Sequence, residues 1–177
     1  MLKNLLNELE QCLIEAKNPI LPYLEGGTPF DPDDFANRLH SLELDVCEDL
    51  NILYSWKPGL KKEFAADPRF KYDTFAFGSH MDYTEALRIY QLEREKGTFE
   101  SRFFPIFSRI GFKPETATFI DLSKKSKTFG KICHGNPIKF KPEELHLAFH
   151  SLSWMIESMV IYYKHGLFTI DEEGMLT

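Results

Sequence analysis

A chain of 177 residues, 43% hydrophobic and 27% charged, has the length of one domain and the composition of a globular protein with a core of its own. No run of about 18 apolar residues occurs, which excludes a membrane-spanning helix; Cys12, Cys47 and Cys133 form no Cys-x-x-Cys pair, which argues for buried reduced thiols over a zinc ribbon or a disulfide framework. The net charge of −6 is lopsided: residues 25–49 hold eight acids (Glu25, Asp31, Asp33, Asp34, Glu43, Asp45, Glu48, Asp49) against Arg38, a local −7, whereas residues 113–141 hold seven lysines against Glu115 and Asp121.

Leu2, Leu5, Leu6, Leu9 and Leu13 recur at helical spacing and predict an amphipathic helix over 2–17. Glu8, Glu10 and Glu15 interrupt its leucines, so the segment does not read as a secretory signal, and a cytoplasmic location is expected. A loop with Pro22, Gly26, Gly27 and Pro29 follows. Asp31 then reads as a helix N-cap with Pro32 in the first helical position and Phe35 and Leu39 facing inward. A short helix is expected over 47–59, with Asp45 and Glu48 spaced as a capping box, Leu50, Leu53 and Tyr54 as its inner stripe, and Pro58-Gly59 as its stop. Tyr72, Phe75 and Phe77 suggest a strand ending at Gly78. The next helix opens at Asp82, with Glu85 three residues on, and closes at Lys96-Gly97. Strands are predicted over 103–107, 116–122 and 129–134. In the second, Thr116, Thr118 and Ile120 alternate with Ala117, Phe119 and Asp121, the period of a sheet with one buried face. Lysines 124, 125 and 127 sit in the turn between the last two strands. The strongest helical pattern spans 151–166: Ser151 caps it, Leu152, Ile156, Met159, Val160 and Tyr163 form one stripe, and Gly166 stops it. Helices, then strands, then a helix read as one α+β domain over 1–177.

Few residues suggest chemistry. His146 and His150 have the i, i+4 spacing of a metal pair if they share a helical turn, and with Asp121 they would make the beginnings of a small metal-dependent hydrolase. The segment lacks a zinc-protease glutamate and a third ligand, so no metal or cofactor is expected. Asp121 reads better as an acceptor of backbone N–H groups in the adjoining turn than as a general acid or base. No nucleophile elbow, phosphate loop or dinucleotide fingerprint occurs, so no catalytic residue is assigned and the protein is expected not to be an enzyme. Trp56 and Trp154 read as core residues before partner anchors. The lysines lack interleaved exposed aromatics, which argues against direct nucleic-acid binding.

The order of these pieces carries a resemblance. An acidic capped helix runs into Leu53, Tyr54, Trp56 and Gly59; a Phe-Pro-Ile-Phe strand (Phe104, Pro105, Ile106, Phe107) follows; a second strand ends in Ile120, Asp121 and Leu122; Gly130-Lys131 leads to a last helix opening with Ser151, Leu152 and Ser153. Over about 30–166, with the first helix as an extension, this arrangement resembles the SUKH superfamily of SMI/KNR type. The family's loop before the Asp-Leu strand is glycine-rich, and here it offers only Gly111 beside Lys113 and Pro114. The resemblance implies a mixed, largely antiparallel sheet packed by helices on one side, with Tyr54, Trp56, Gly59, Pro105, Asp121 and Ser151 as structural motif positions. It also implies a non-enzymatic binding module: an immunity protein that neutralises a cognate toxin, often a nuclease, or an intracellular regulator of cell-wall assembly. The charge pattern adds the expected contact surface, Asp31, Asp33, Asp34, Glu43, Asp45, Glu48, Asp49 and Trp56, facing a basic partner. The oligomeric state is left open.

Overall fold

Leu2, Leu6, Leu9, Cys12 and Leu13 are buried along one side of the first helix, α1 (Leu2–Glu15), as the leucine spacing requires. A computed structural model describes residues 1–61, 63, 74, 78–97, 102–108, 117–134, 146–171 and 176. Among these, α2 (Leu21–Glu25), α3 (Pro32–Ser41) and α4 (Glu48–Trp56) follow α1. Then come β1 (Ser79–His80), α5 (Tyr83–Glu95), β2 (Phe103–Ser108), β3 (Thr118–Asp121), β4 (Ile132–His134), β5 (His146–Phe149) and α6 (Leu152–Lys164). The five strands form one sheet in the order β1-β2-β3-β4-β5, and every neighbouring pair is antiparallel. The fold class is α+β.

Local chemistry accounts for most boundaries. Asp31 caps α3, its Oδ1 accepting from the amides of Asp33 (3.0 Å) and Asp34 (3.1 Å), with Pro32 at the start of the helix. Asp82 caps α5 and Ser151 caps α6 in the same way. Phe35 and Leu39 of α3, and Leu50, Leu53 and Tyr54 of α4, are buried as predicted. Pro105 lies inside β2, between two paired neighbours, where a missing N–H interrupts the ladder. The register slips between Pro105 and Phe107, and this irregularity accommodates the proline.

Several expectations change. Residues 21–25 form a helix rather than part of a loop, started by Pro22 in its first turn. Asp45 does not cap α4: Cys47 holds the cap position without a side-chain bond, and Asp45 Oδ2 instead accepts the amide of Lys124 (2.7 Å). Glu85 does not reach back to the cap of α5; it pairs with Arg88 (2.6 Å), and the Asp82 amide donates to Leu60 O. All four residues of β3 are buried, so the alternation predicted for one covered face does not hold in a strand at the centre of the sheet. Residues 146–149 form the last strand and not the helical turn that the His146/His150 spacing suggests. Tyr72, Phe75, Phe77 and Thr116 lie outside the described residues.

The buried apolar residues form one cluster from Leu2 to Tyr163. Its aromatic part joins layers: Phe35 lies 5.5 Å from Tyr54, 5.8 Å from Tyr83 and 6.1 Å from Phe104, mostly edge to face, tying α3, α4, α5 and β2 together. α1 packs against α4 and α6, and α5 against β2. Cys12, Cys47 and Cys133 are buried, and burial pushes the Cys12 and Cys47 thiols up.

Candidate functional site

The C-terminal end of α4 is set by a junction of three backbone segments. Gly59 adopts φ +104°, and a Cβ there would stand 2.5 Å from Met81 O; a Cβ on Gly27 would stand 2.5 Å from Gly59 O. Only glycine fits such an approach. The contact is hydrogen-bonded throughout: Gly59 N–H donates to Leu24 O (3.0 Å), Leu60 N–H to His80 O (2.9 Å) and Asp82 N–H to Leu60 O (2.9 Å). The side chains complete it. Buried Asp82 accepts from the amides of Thr28 (2.5 Å) and Thr84 (2.9 Å) and from the Thr84 hydroxyl (2.5 Å). Buried His80 donates from Nε2 to Lys57 O (3.0 Å). Burial lowers its pKa from 6.5 to about 4, against the opposing pull of that carbonyl and of Asp82, so the ring is neutral.

This junction fixes Trp56 and Lys57. The Trp56 indole stands 5.8 Å from the His80 ring and donates from Nε1 to Glu10 Oε2 of α1 (2.9 Å). Lys57 Nζ donates to Glu10 Oε1 (3.0 Å) and Glu25 Oε1 (2.6 Å). Partial burial opposes the Lys57 charge, but its bonds to Glu25 and Glu10 outweigh that and raise its pKa. The indole is thereby held at two sides.

Beside it, α1 and α4 leave an open groove of about 620 Å³, lined by Lys3 and Asn7 of α1 and by Glu48, Asn51, Ile52, Ser55 and Trp56 of α4. The α4 residues recur at i, i+3, i+4, i+7 and i+8, the face opposite the buried Leu50, Leu53 and Tyr54. The Asn51 Oδ1 is buried without a hydrogen-bond partner in the described structure. A buried acceptor left unbonded costs about 1–3 kcal/mol. Next to the groove, Asp49 is held above the usual carboxylate range by burial and then by Glu48, with the chain's terminal amine opposing.

Of the expected contact residues, only Glu48 and Trp56 line the same groove. Asp31, Asp33 and Asp34 stand at the N-terminal end of α3, and Asp34 pairs with Arg38 (2.9 Å). Glu43 follows the other end of α3, roughly 15 Å away for ten helical residues, and pairs with Arg94 of α5 (2.6 Å). Asp45 is tied to Lys124 in the β3–β4 turn, so the acidic run and the exposed lysines 124, 125 and 127 meet there. Many of these acids serve helix starts: Asp33 and Asp34 occupy the first turn of α3, Glu48 and Asp49 that of α4. Asn51, Asn7, Lys3 and Ser55 were not singled out from sequence. The polar face of α4 was a legible signal for Asn51 and Ser55, while Lys3 and Asn7 join only because α1 packs alongside.

The residues considered for chemistry are placed differently. Asp121 is fully buried; Oδ1 accepts the Ser123 amide (2.9 Å), Oδ2 accepts the Thr128 hydroxyl (2.6 Å), and Arg102 Nε lies 3.6 Å away. It closes the turn between β3 and β4, as the sequence suggested. His146 lies in β5 opposite His134, and His150 follows that strand, where four residues span roughly 13 Å rather than one helical turn. The His150 ring stacks on Trp154 (5.0 Å, 8° between planes). Among the described residues no group of three or more His, Cys, Asp or Glu side chains could hold a metal. Trp154 is not a core residue: it is 48% exposed on α6, because the helix buries the opposite stripe. Among the described residues no helix is long and apolar enough to cross a membrane. In comparisons with known proteins, no family model and no curated protein sequence matches the chain.

Proposed function

We propose that the protein is a non-enzymatic protein-binding module of the SUKH type, which neutralises a basic toxin domain, such as a nuclease, by occluding it. The observation that carries this reading is the α1/α4 groove, where a pre-held indole, a carboxylate and an unbonded buried amide oxygen converge. Two of these match what a protein surface supplies: Trp56 takes an apolar or aliphatic stem and Glu48 a lysine or arginine head. Because Glu10 fixes the indole edge, docking orders one side chain fewer, which lowers the entropic cost of association. The exposed acids at both ends of α3 add a long-range field that speeds encounter with a basic surface. A nuclease suits this field, since its own substrate is polyanionic and its cleft is basic.

The test takes the product of the gene adjacent to this protein's own and mixes it with the full chain. Expected are one-to-one binding, loss of the partner's activity at equimolar ratio, and an association rate that falls with salt. Trp56→Ala should weaken binding by about 30-fold or more, the scale of a central anchor. An association rate indifferent to ionic strength removes the electrostatic part. Undiminished binding by both Trp56→Ala and Glu48→Lys removes the groove.

A further inference from the structure

A second surface, away from the groove, is made by the outward face of α6. Among the described residues eight large hydrophobic side chains are exposed, and four belong to this helix and its exit: Trp154 (48%), Ile161 (48%), Tyr162 (41%) and Leu167 (60%). A fifth, Leu147, lies on the adjoining edge strand β5. The helix already buries Leu152, Met155, Ile156, Met159, Val160 and Tyr163 on its inner side, so the fold itself does not require apolar residues outside. Such concentration on one outer face marks an association surface.

The polar residues within the stripe say what covers it. Trp154, Glu157, Ser158, Ile161 and His165 recur at i, i+3, i+4, i+7 and i+11, on one line along the helix. Ser158 Oγ turns back to Trp154 O (2.9 Å) and makes no demand on a partner. Lys164, to one side, is engaged by Glu8. The side chains of Glu157 and His165 are exposed and have no hydrogen-bond or ion-pair partner among the described residues. They stand four residues before and four after Ile161, with an acid on one side and a base on the other. That is the arrangement a two-fold axis needs.

We infer that α6 is a self-association surface, on which a second copy of the chain docks with its own α6 antiparallel and the two-fold axis at Ile161. In that register Ile161 meets Ile161, and each Glu157 meets the other copy's His165, so the polar pair is satisfied twice by one symmetric contact. A parallel arrangement would set Glu157 against Glu157. Trp154, seven residues before the axis, comes opposite the exit of the other helix. There Leu167 is exposed and a cavity of about 360 Å³ opens between Ala16, Lys164, Phe168 and Ile170. Stacking on His150 holds the Trp154 ring in place, so it docks as a pre-ordered anchor.

Sedimentation or light scattering of the full chain across micromolar to submillimolar concentrations tests this. A reversible dimer of twice the 20.6 kDa chain mass is expected. Ile161→Glu, which places two carboxylates on the axis, should raise the dissociation constant by about 100-fold or more. Glu157→Lys and His165→Glu should each raise it by about 10-fold, and the double variant should recover most of that loss because an acid–base pair is restored in reversed order. All four variants change exposed positions, so unaltered melting of the folded chain accompanies the effect. A chain of 20.6 kDa at every concentration overturns the inference. So does a dimer that survives Ile161→Glu, or a charge exchange that fails to restore affinity.

Discussion

The junction around Gly59 and the groove beside Trp56 are neighbours built on opposite principles. At the junction buried Asp82 accepts three hydrogen bonds, buried His80 donates one, and backbone bridges join all three segments. In the groove a buried Asn51 oxygen has no partner among the described residues, a carboxylate stands exposed, and a tryptophan is held by His80 and Glu10. Polar groups that hold a fold are satisfied within the chain. By that criterion Asp82 and Asp121 are structural carboxylates, although a buried acid in sequence looks like chemistry.

The contrast can be broken most severely at Gly59. Gly59→Ala introduces a Cβ against Met81 O at a left-handed φ and should destabilise the chain by roughly 4 kcal/mol in urea unfolding. Gly97→Ala serves as the control, since a Cβ there at φ +68° meets nothing within 4 Å, and about 1 kcal/mol is expected. Equal losses at the two positions would show that the junction is looser than its hydrogen bonds indicate.

Next in size is the pH dependence contributed by His80. Its folded-state pKa of about 4 lies below the ordinary 6.5, so as pH falls the unfolded chain takes up the proton first. Stability from this group is therefore complete above 6.5 and is lost between 6.5 and 4, by up to about 3 kcal/mol. His80→Gln should flatten the stability profile in that window, while an unchanged slope would assign the loss to other groups. Asp82→Asn, which turns an amide group toward the Thr28 N–H, should cost about 2 kcal/mol. The smallest change belongs to the groove. Asn51→Leu removes an unbonded acceptor and should leave stability within about 1 kcal/mol of the parent, or raise it, while weakening partner binding. A loss comparable to that of Asp82→Asn would place Asn51 among the structural residues instead.

Reading the chain without its structure succeeded where the signal is local. Caps at Asp31, Asp82 and Ser151, the leucine stripe of α1 and the inward faces of α3, α4 and α6 all follow from chemistry within one or two helical turns. It failed where a distant segment decides. Asp45 has the spacing of a cap but bonds to Lys124, 79 residues further on. β3 has an alternating pattern but lies between two other strands, in the middle of a sheet that buries all four of its residues. His146 and His150 have helical spacing but fall on and after an edge strand, where β4 supplies the pairing.

The sequence by itself determined the α+β class, the starts of α3, α5 and α6, and the placing of acids at helix N-termini, because each depends on backbone hydrogen bonds and side-chain periods over a few residues. Only the tertiary structure decided which polar groups are satisfied and which are not. Asn51 Oδ1 is buried without a bond among the described residues, Trp56 is oriented by a glutamate 46 residues earlier, and Trp154 is exposed because the other side of α6 fills the core. Burial and hydrogen-bond satisfaction are properties of packing between distant segments, and no window of sequence contains both partners.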